Sequence, residues 1–164
     1  MSTEYVIVIA VEDSATAGVV AAAAAHVAME QEATQAILVH VLDSHTFATG
    51  LFGMTGAAAP ILESVEEGTQ ILDVAEATFR AEYDALERPV PSIARRLLSG
   101  NPGTVIPEVA AEVGAGTIIV GARRPHAFGR IAHPDVRSAL GAHTTIPVRV
   151  APLQSGATPE NAQG

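Results

Sequence analysis

The chain has 164 residues, of which 48% are hydrophobic and 4% aromatic, and its formal net charge is −9. This length predicts a single domain whose core is built mainly from aliphatic side chains. The sequence has no cysteine, which excludes disulfides and thiolate metal sites. It shows no signal-peptide pattern and no apolar run long enough to cross a bilayer, so we expect a cytoplasmic protein without a membrane partner.

The basic residues are distributed unevenly along the chain. All nine are arginines, and five of them fall between positions 120 and 150, where Asp135 is the single acidic residue. These five are Arg123, Arg124, Arg130, Arg137 and Arg149. An acidic chain with one basic segment is not typical of a nucleic-acid-binding protein. The segment is compatible with a small-anion site, and equally with a solvated face or an ion-paired dimer edge.

Apolar runs alternate with helix-like segments along the chain. Short runs rich in β-branched residues predict strands over Tyr5–Val11, Ala36–Leu42, Pro89–Leu98, Thr117–Val120 and Pro147–Ala151. Apolar residues at helical spacing predict helices over Ala17–Glu32, Pro60–Leu86, Thr104–Val113 and Pro134–His143. This alternation predicts an α/β domain with a parallel sheet covered on both faces.

The segments between these elements have the composition of loops. Residues 43–60 form a long predicted loop that contains four large apolar residues: Phe47, Leu51, Phe52 and Met54. These residues predict either a flap that covers the second helix or a surface that binds a protein partner. Ser99–Gly103 is a predicted turn. We expect one domain over residues 1–151, followed by a flexible tail over residues 152–164.

Polar or glycine-containing segments follow the first, second and fourth predicted strands. They are Glu12–Asp13, Val41–Leu42 and Gly121–Arg124. Ligands of parallel α/β sheets bind at the carboxyl ends of the strands, where the strand order reverses. These segments can therefore converge on one crevice. Glu12, Asp13 and Ser14 also have the composition of a loop that caps the first helix.

Four stretches of this chain, in order and at the expected spacing, resemble the universal stress protein family. They are VIVIAVEDS, LVHVLD, SGNPGTVIPEVAAEVGAGTIIVGARR and IPVRVAP. The resemblance covers residues 5–150 and implies a single three-layer α/β/α domain. Its five-stranded parallel sheet would be Rossmann-like, with strand order 3-2-1-4-5. It also implies a homodimer formed by antiparallel pairing of the last strands, here at Pro147, Val148, Arg149 and Val150.

Family members that bind ATP carry the pattern Gly-x2-Gly-x9-Gly-Ser/Thr after the fourth strand. Glycines let backbone amides approach the phosphates, and the hydroxyl adds a donor. Here Gly121 matches the first glycine and Arg124 stands at the second. His133 and Pro134 occupy the last two positions, while Gly129 is out of register. The phosphate loop of this chain is therefore degenerate.

The resemblance also implies which residues would contact a nucleotide, if binding is retained. Glu12 matches the acid near the nucleoside, with Asp13 where a glycine is common, and Val41 matches the residue that packs against adenine. The complete predicted site is Ala10, Val11, Glu12, Asp13, Val41, Val120, Gly121, Arg123, Arg124, Gly129, Arg130, His133 and Pro134.

Three classes of function remain open from the sequence. The favoured one is a dimeric regulatory or interaction module with weak or no ATP binding. The alternative is an adenine-nucleotide-binding protein, for ATP or AMP, that uses arginines in place of the glycine loop. An enzyme is the third, with weak ATPase activity as the candidate reaction and Glu12 and Asp13 as candidate Mg²⁺ ligands. No catalytic constellation or metal-ligand spacing supports it, so we predict neither catalytic residues nor a metal site.

Overall fold

The structure, a computed structural model, describes residues 4–43, 58–122 and 136–152. The strands within these ranges are β1 (Val6–Ala10), β2 (Gln35–Asp43), β3 (Ser92–Gly100), β4 (Thr117–Gly121) and β5 (Val148–Ala151). The helices are α1 (Ser14–Glu30), α2 (Ala58–Ala85), α3 (Pro102–Glu112) and α4 (Val136–His143).

All neighbouring strands are parallel, in the order β3-β2-β1-β4-β5. This confirms the predicted five-stranded, Rossmann-like α/β fold. β1 lies at the centre, and each of its side chains is buried, because helices cover both faces of the sheet. Its unbroken VIVIA sequence is what such a doubly covered strand requires.

Two apolar clusters fill the space on either side of the sheet. Ile7, Ile9 and Val11 point to the cluster beneath α1 and α2. Val8 and Ala10 point to the cluster beneath α3 and α4. The alternating side chains of β1 therefore hold together both layers of helices.

Helix α1 lies very close to its neighbours because its inward side chains are small. Five alanines of α1 are fully buried: Ala17, Ala21, Ala24, Ala25 and Ala28. Gly18 of the same helix lies where an added Cβ would be 3.5 Å from the Thr78 hydroxyl of α2. Among the described residues, Phe79 of α2 is the largest fully buried side chain, and its ring lies 5.2 Å from that of Tyr83. Phe79 and Tyr83 thus fill the space that the alanines leave.

The two arginines of β3 point to opposite faces of the sheet, and each pairs with a helix. Arg95 donates to Asp73 and also lies 3.3 Å from Glu76, both on α2. Arg96 donates two hydrogen bonds of 3.0 Å to the carboxylate of Glu112 on α3. These hydrogen bonds lower the pKa of Glu112 and raise that of Arg96. β3 ends the sheet, in agreement with the strand order that the resemblance implies.

The predicted elements are present, with differences at their ends. α1 starts at Ser14, earlier than predicted, because Asp13 caps it. Ser99 and Gly100 extend β3, so the predicted turn over Ser99–Gly103 shortens to Asn101, whose side chain caps α3. Of the loop predicted over residues 43–60, Asp43 belongs to β2 and residues 58–60 to α2, while residues 44–57 lie outside the described residues, as does the predicted tail beyond Pro152.

We expect Phe79→Ala to lower the free energy of unfolding by about 3 to 5 kcal/mol, because it leaves a cavity between α1, α2 and the sheet. Val74→Ala is the matched control, since Val74 lies on the same helix with 44% of its surface exposed. Urea denaturation followed by circular dichroism measures both. Equal losses in the two variants would contradict this account of the core.

Candidate functional site

The carboxyl ends of β1, β2 and β4 lie side by side where the strand order reverses, and we call this edge of the sheet the crevice. Ala10 of β1 pairs with Val39 of β2 on one side and with Val120 of β4 on the other. The connections from β1 and β2 cover one face, while those from β3 and β4 cover the other. The strand order reverses between β1 and β4, which is where α/β sheets bind their ligands.

The loop from β1 to α1 forms one wall of this crevice. Val11 is buried and donates its backbone N–H to the Val39 carbonyl at 3.0 Å. Glu12 is exposed. Asp13 is the N-cap of α1: its carboxylate accepts from the Thr16 amide at 2.8 Å and from the Thr16 hydroxyl at 2.9 Å. The capping function predicted for this loop is confirmed, and Asp13 places a negative charge at the positive end of α1.

The end of β2 brings two consecutive side chains to opposite faces of the sheet. Val41 is half-buried and packs on the face covered by α3 and α4, in the same cluster as Ala10 and Val120. His40 points to the other face, where it is buried, and its Nδ1 lies 2.8 Å from the Val11 carbonyl oxygen. Since a carbonyl only accepts, Nδ1 carries the proton.

Gly121 at the end of β4 has a packing role. A Cβ built on Gly121 would lie 2.9 Å from Cγ2 of Val20 on α1, closer than carbon atoms approach without a shift. The next residue, Ala122, donates its N–H to the Ala151 carbonyl and so continues the contact with β5. The close approach of α1 thus explains this glycine whether or not a phosphate binds there.

The remaining predicted site residues lie outside the described residues. They are Arg123, Arg124, Gly129, Arg130, His133 and Pro134. The helix that follows them is anchored by Leu140, which is fully buried in the cluster that also contains Val120. The structure therefore brings together Ala10, Val11, Glu12, Asp13, Val41, Val120 and Gly121 at one edge of the sheet.

Sequence patterns missed a second surface, a groove of about 810 Å³ between α1 and β5. Its lining is Val19, Ala22, Ala23, His26, Val27, Glu82, Ile119, Arg149, Val150, Ala151 and Pro152. His26 of α1 lies 3.2 Å from Glu82 of α2 across one end. The signal in the sequence was Val19 and Val27, which are apolar although they lie on the outward side of an alanine-rich helix.

Two classes of site find no support in the described part of the chain. Among residues 4–43, 58–122 and 136–152, no three histidine or acidic side chains converge as metal ligands would. No helix in these ranges has the length and apolar character needed to span a membrane.

The family model for the universal stress protein family matches residues 6–152. The chain belongs to the universal stress protein family. A family structure from Burkholderia pseudomallei is 25% identical over 93% of this chain and 99% of its own, with a TM-score of 0.64. A universal stress protein from Archaeoglobus fulgidus is 25% identical over 89% of this chain and 92% of its own, with a TM-score of 0.61.

A universal stress protein from Archaeoglobus fulgidus solved in complex with dAMP shares the fold. It is 23% identical over 92% of this chain and 98% of its own, with a TM-score of 0.59. A search of curated protein sequences gave no match.

We expect Asp13→Ala to lower the free energy of unfolding by about 1 kcal/mol, because the Thr16 amide loses its acceptor. Asp13→Asn keeps an acceptor oxygen at the cap and serves as the matched control. Chemical denaturation measures both variants. If Asp13→Ala is as stable as the wild type, the cap assigned to Asp13 contributes nothing.

Proposed function

We propose that this universal stress protein is a homodimeric, non-catalytic regulatory module whose crevice binds adenine nucleotides weakly. The observation that carries the proposal is the contrast between the two ends of the crevice. The nucleoside end keeps an exposed carboxylate at Glu12 and a half-buried apolar residue at Val41. The phosphate end carries the Asp13 carboxylate at the N-terminus of α1.

Glu12 and Val41 offer complementary contacts to a nucleoside. A carboxylate at the end of β1 can accept hydrogen bonds from ribose hydroxyls, while a valine at the end of β2 can pack against a base. The fold shared with the Archaeoglobus fulgidus protein solved with dAMP supports an adenine nucleotide as the ligand class. The glycine at position 121 is not further support for nucleotide binding, because its packing against Val20 already explains why a glycine is present.

Asp13 argues against strong binding of a triphosphate. Its carboxylate satisfies the Thr16 amide and offsets the positive end of the helix dipole, which would otherwise attract phosphate. The sequence of the phosphate loop adds to this, because Arg124, His133 and Pro134 replace the residues that present backbone amides and a hydroxyl. Each added phosphate therefore contributes little affinity.

We expect AMP to bind with a dissociation constant of about 0.1 to 1 mM, roughly 4 to 5.5 kcal/mol, and ATP to bind no more tightly. Isothermal titration with adenosine, AMP, cyclic AMP and ATP measures this. Asp13→Asn keeps the cap but removes its charge, so it should strengthen ATP binding more than AMP binding. If no ligand gives a heat of binding, the protein is a nucleotide-independent module. If ATP binds at least tenfold more tightly than AMP, the result favours phosphate contacts from the arginine loop.

The homodimer forms at the edge of β5. β5 is the last strand in the sheet order, and Val150 on it is 37% exposed. The groove beside it continues this apolar surface along α1 through Val19 and Val27. An exposed strand edge next to an apolar groove is a surface that proteins usually cover, and a second copy pairing antiparallel through β5 would cover both.

We expect Val150→Lys to convert the dimer to a monomer, because it places a charge in the centre of the paired edge. Val74→Lys is the matched control, since Val74 is a comparably exposed valine on α2. Sedimentation velocity of the wild type and both variants gives the masses. A wild type that sediments as a monomer, or a dimer that survives Val150→Lys, would refute this interface.

A further inference from the structure

We propose that His40 is a positioning residue for the crevice: its ring holds the β1–α1 loop, and with it Glu12 and Asp13, in the conformation that receives a ligand. The inference rests on the proposed nucleotide function for its ligand, but the loop-holding contact is a property of the nucleotide-free chain. His40 faces away from Val41 and from the α3 and α4 side of the sheet, so it acts through the loop backbone.

The contact lies where β1 leaves the sheet. The paired register of β1 with β2 ends at Ala10 and Val39, and Val11 donates one further bond to the Val39 carbonyl. The Val11 carbonyl then accepts from the His40 Nδ1–H at 2.8 Å. His40 is 8% exposed and Val11 2%, so this bond is shielded from water. A side chain from the neighbouring strand thereby fixes the peptide group directly before Glu12.

The ring of His40 is held in place from the other side by α2. A Cβ built on Gly68 of α2 would lie 2.9 Å from the His40 Cδ2 and 2.6 Å from the Leu97 Cδ1. Only a residue without a side chain fits against the ring at this distance. Gly68 therefore limits the positions that the ring can adopt, and helix α2 is linked to the crevice through Gly68, His40 and the Val11 carbonyl.

The loop has a second fixed point on its other side. Asp13 is bonded to Thr16 in the first turn of α1. Glu12 thus lies between the Val11 carbonyl, which His40 holds, and the Asp13 side chain, which caps α1. Loss of the His40 bond should free the backbone around Glu12 while α1 and the central strand keep their packing.

The test compares His40→Leu, which removes the donor, with His40→Asn, whose side-chain amide can donate in place of Nδ1. Hydrogen exchange by mass spectrometry on nucleotide-free protein reports on residues 12–16 through the Thr16 amide, which is hydrogen-bonded to the Asp13 carboxylate, with residues 7–9 of β1 as the internal reference. We expect His40→Leu to speed exchange at 12–16 by about tenfold relative to 7–9 and to weaken AMP binding by about tenfold. His40→Asn should restore most of the slow exchange and most of the AMP affinity. His26 is an exposed histidine on α1, so His26→Asn should change neither the exchange rate nor the AMP affinity.

Gly68→Ala is the second arm, and it keeps the proposal testable if His40→Leu does not fold. Its added methyl group would lie 2.6 Å from the Leu97 Cδ1 and 2.9 Å from the His40 Cδ2, so it displaces both Leu97 and the ring, and we expect the same local increase in exchange. Gly18→Ala is its control, because the added Cβ there makes an ordinary contact of 3.5 Å. Equal acceleration at 12–16 and 7–9, or no rescue by His40→Asn, would overturn the proposal. A wild type that gives no heat with AMP while the exchange pattern holds would refute nucleotide binding and leave the positioning role of His40 supported.

Discussion

The close approach of α1 to the sheet and to α2 is the constraint on which the rest of the structure depends. Alanines along its inner side leave no space between helix and strands. At the end of β4 a Cβ at Gly121 would lie 2.9 Å from Cγ2 of Val20, so any side chain there would require Val20 or α1 to shift. The same approach places the first turn of α1 at the carboxyl edge of the sheet, where its N-terminus faces the crevice. Packing in the core thus determines the chemistry available at the site.

The electrostatics of the crevice depend on which groups accept hydrogen bonds from the backbone N–H groups in the first turn of α1. An α-helix begins with backbone N–H groups that need acceptors, and an anionic ligand is one way to provide them. Here Asp13 provides one from within the chain. A capping carboxylate stabilises the apo protein and, at the same place, disfavours a second anion. This supports the proposed preference for a nucleoside with little phosphate over a triphosphate.

The sequence predicted the order and type of the elements well because the signals were strong and local. Five β-branched runs and four helical patterns were sufficient for the α/β fold, and the placement of Glu12, Val41 and Gly121 at strand ends followed from topology alone. The predicted ends of the helices and strands were less accurate where a capping residue or a proline determines the boundary. β3 starts at Ser92 because the prolines before it cannot donate to the sheet.

The contacts that the sequence did not reveal are those between residues far apart in the chain. The bond from His40 to the Val11 carbonyl joins residues 29 positions apart, and the contact of Gly121 with Val20 joins two different elements. Neither has a local motif. Gly121 is instructive, because the family pattern explains it as a phosphate-loop glycine while the structure gives a sufficient reason in packing. A retained motif residue is therefore weak support for a retained ligand.

Helix α1 contributes to both surfaces of the molecule, and this limits how they can influence each other. Its first turn borders the crevice, whereas Val19, His26 and Val27 line the groove beside β5. A helix packed this tightly through alanines has few alternative positions, and coupling between sites requires an element with two arrangements. Beyond Val11, which is buried in the core, the β1–α1 loop is better placed to change, because side-chain hydrogen bonds from His40 and Asp13 hold it.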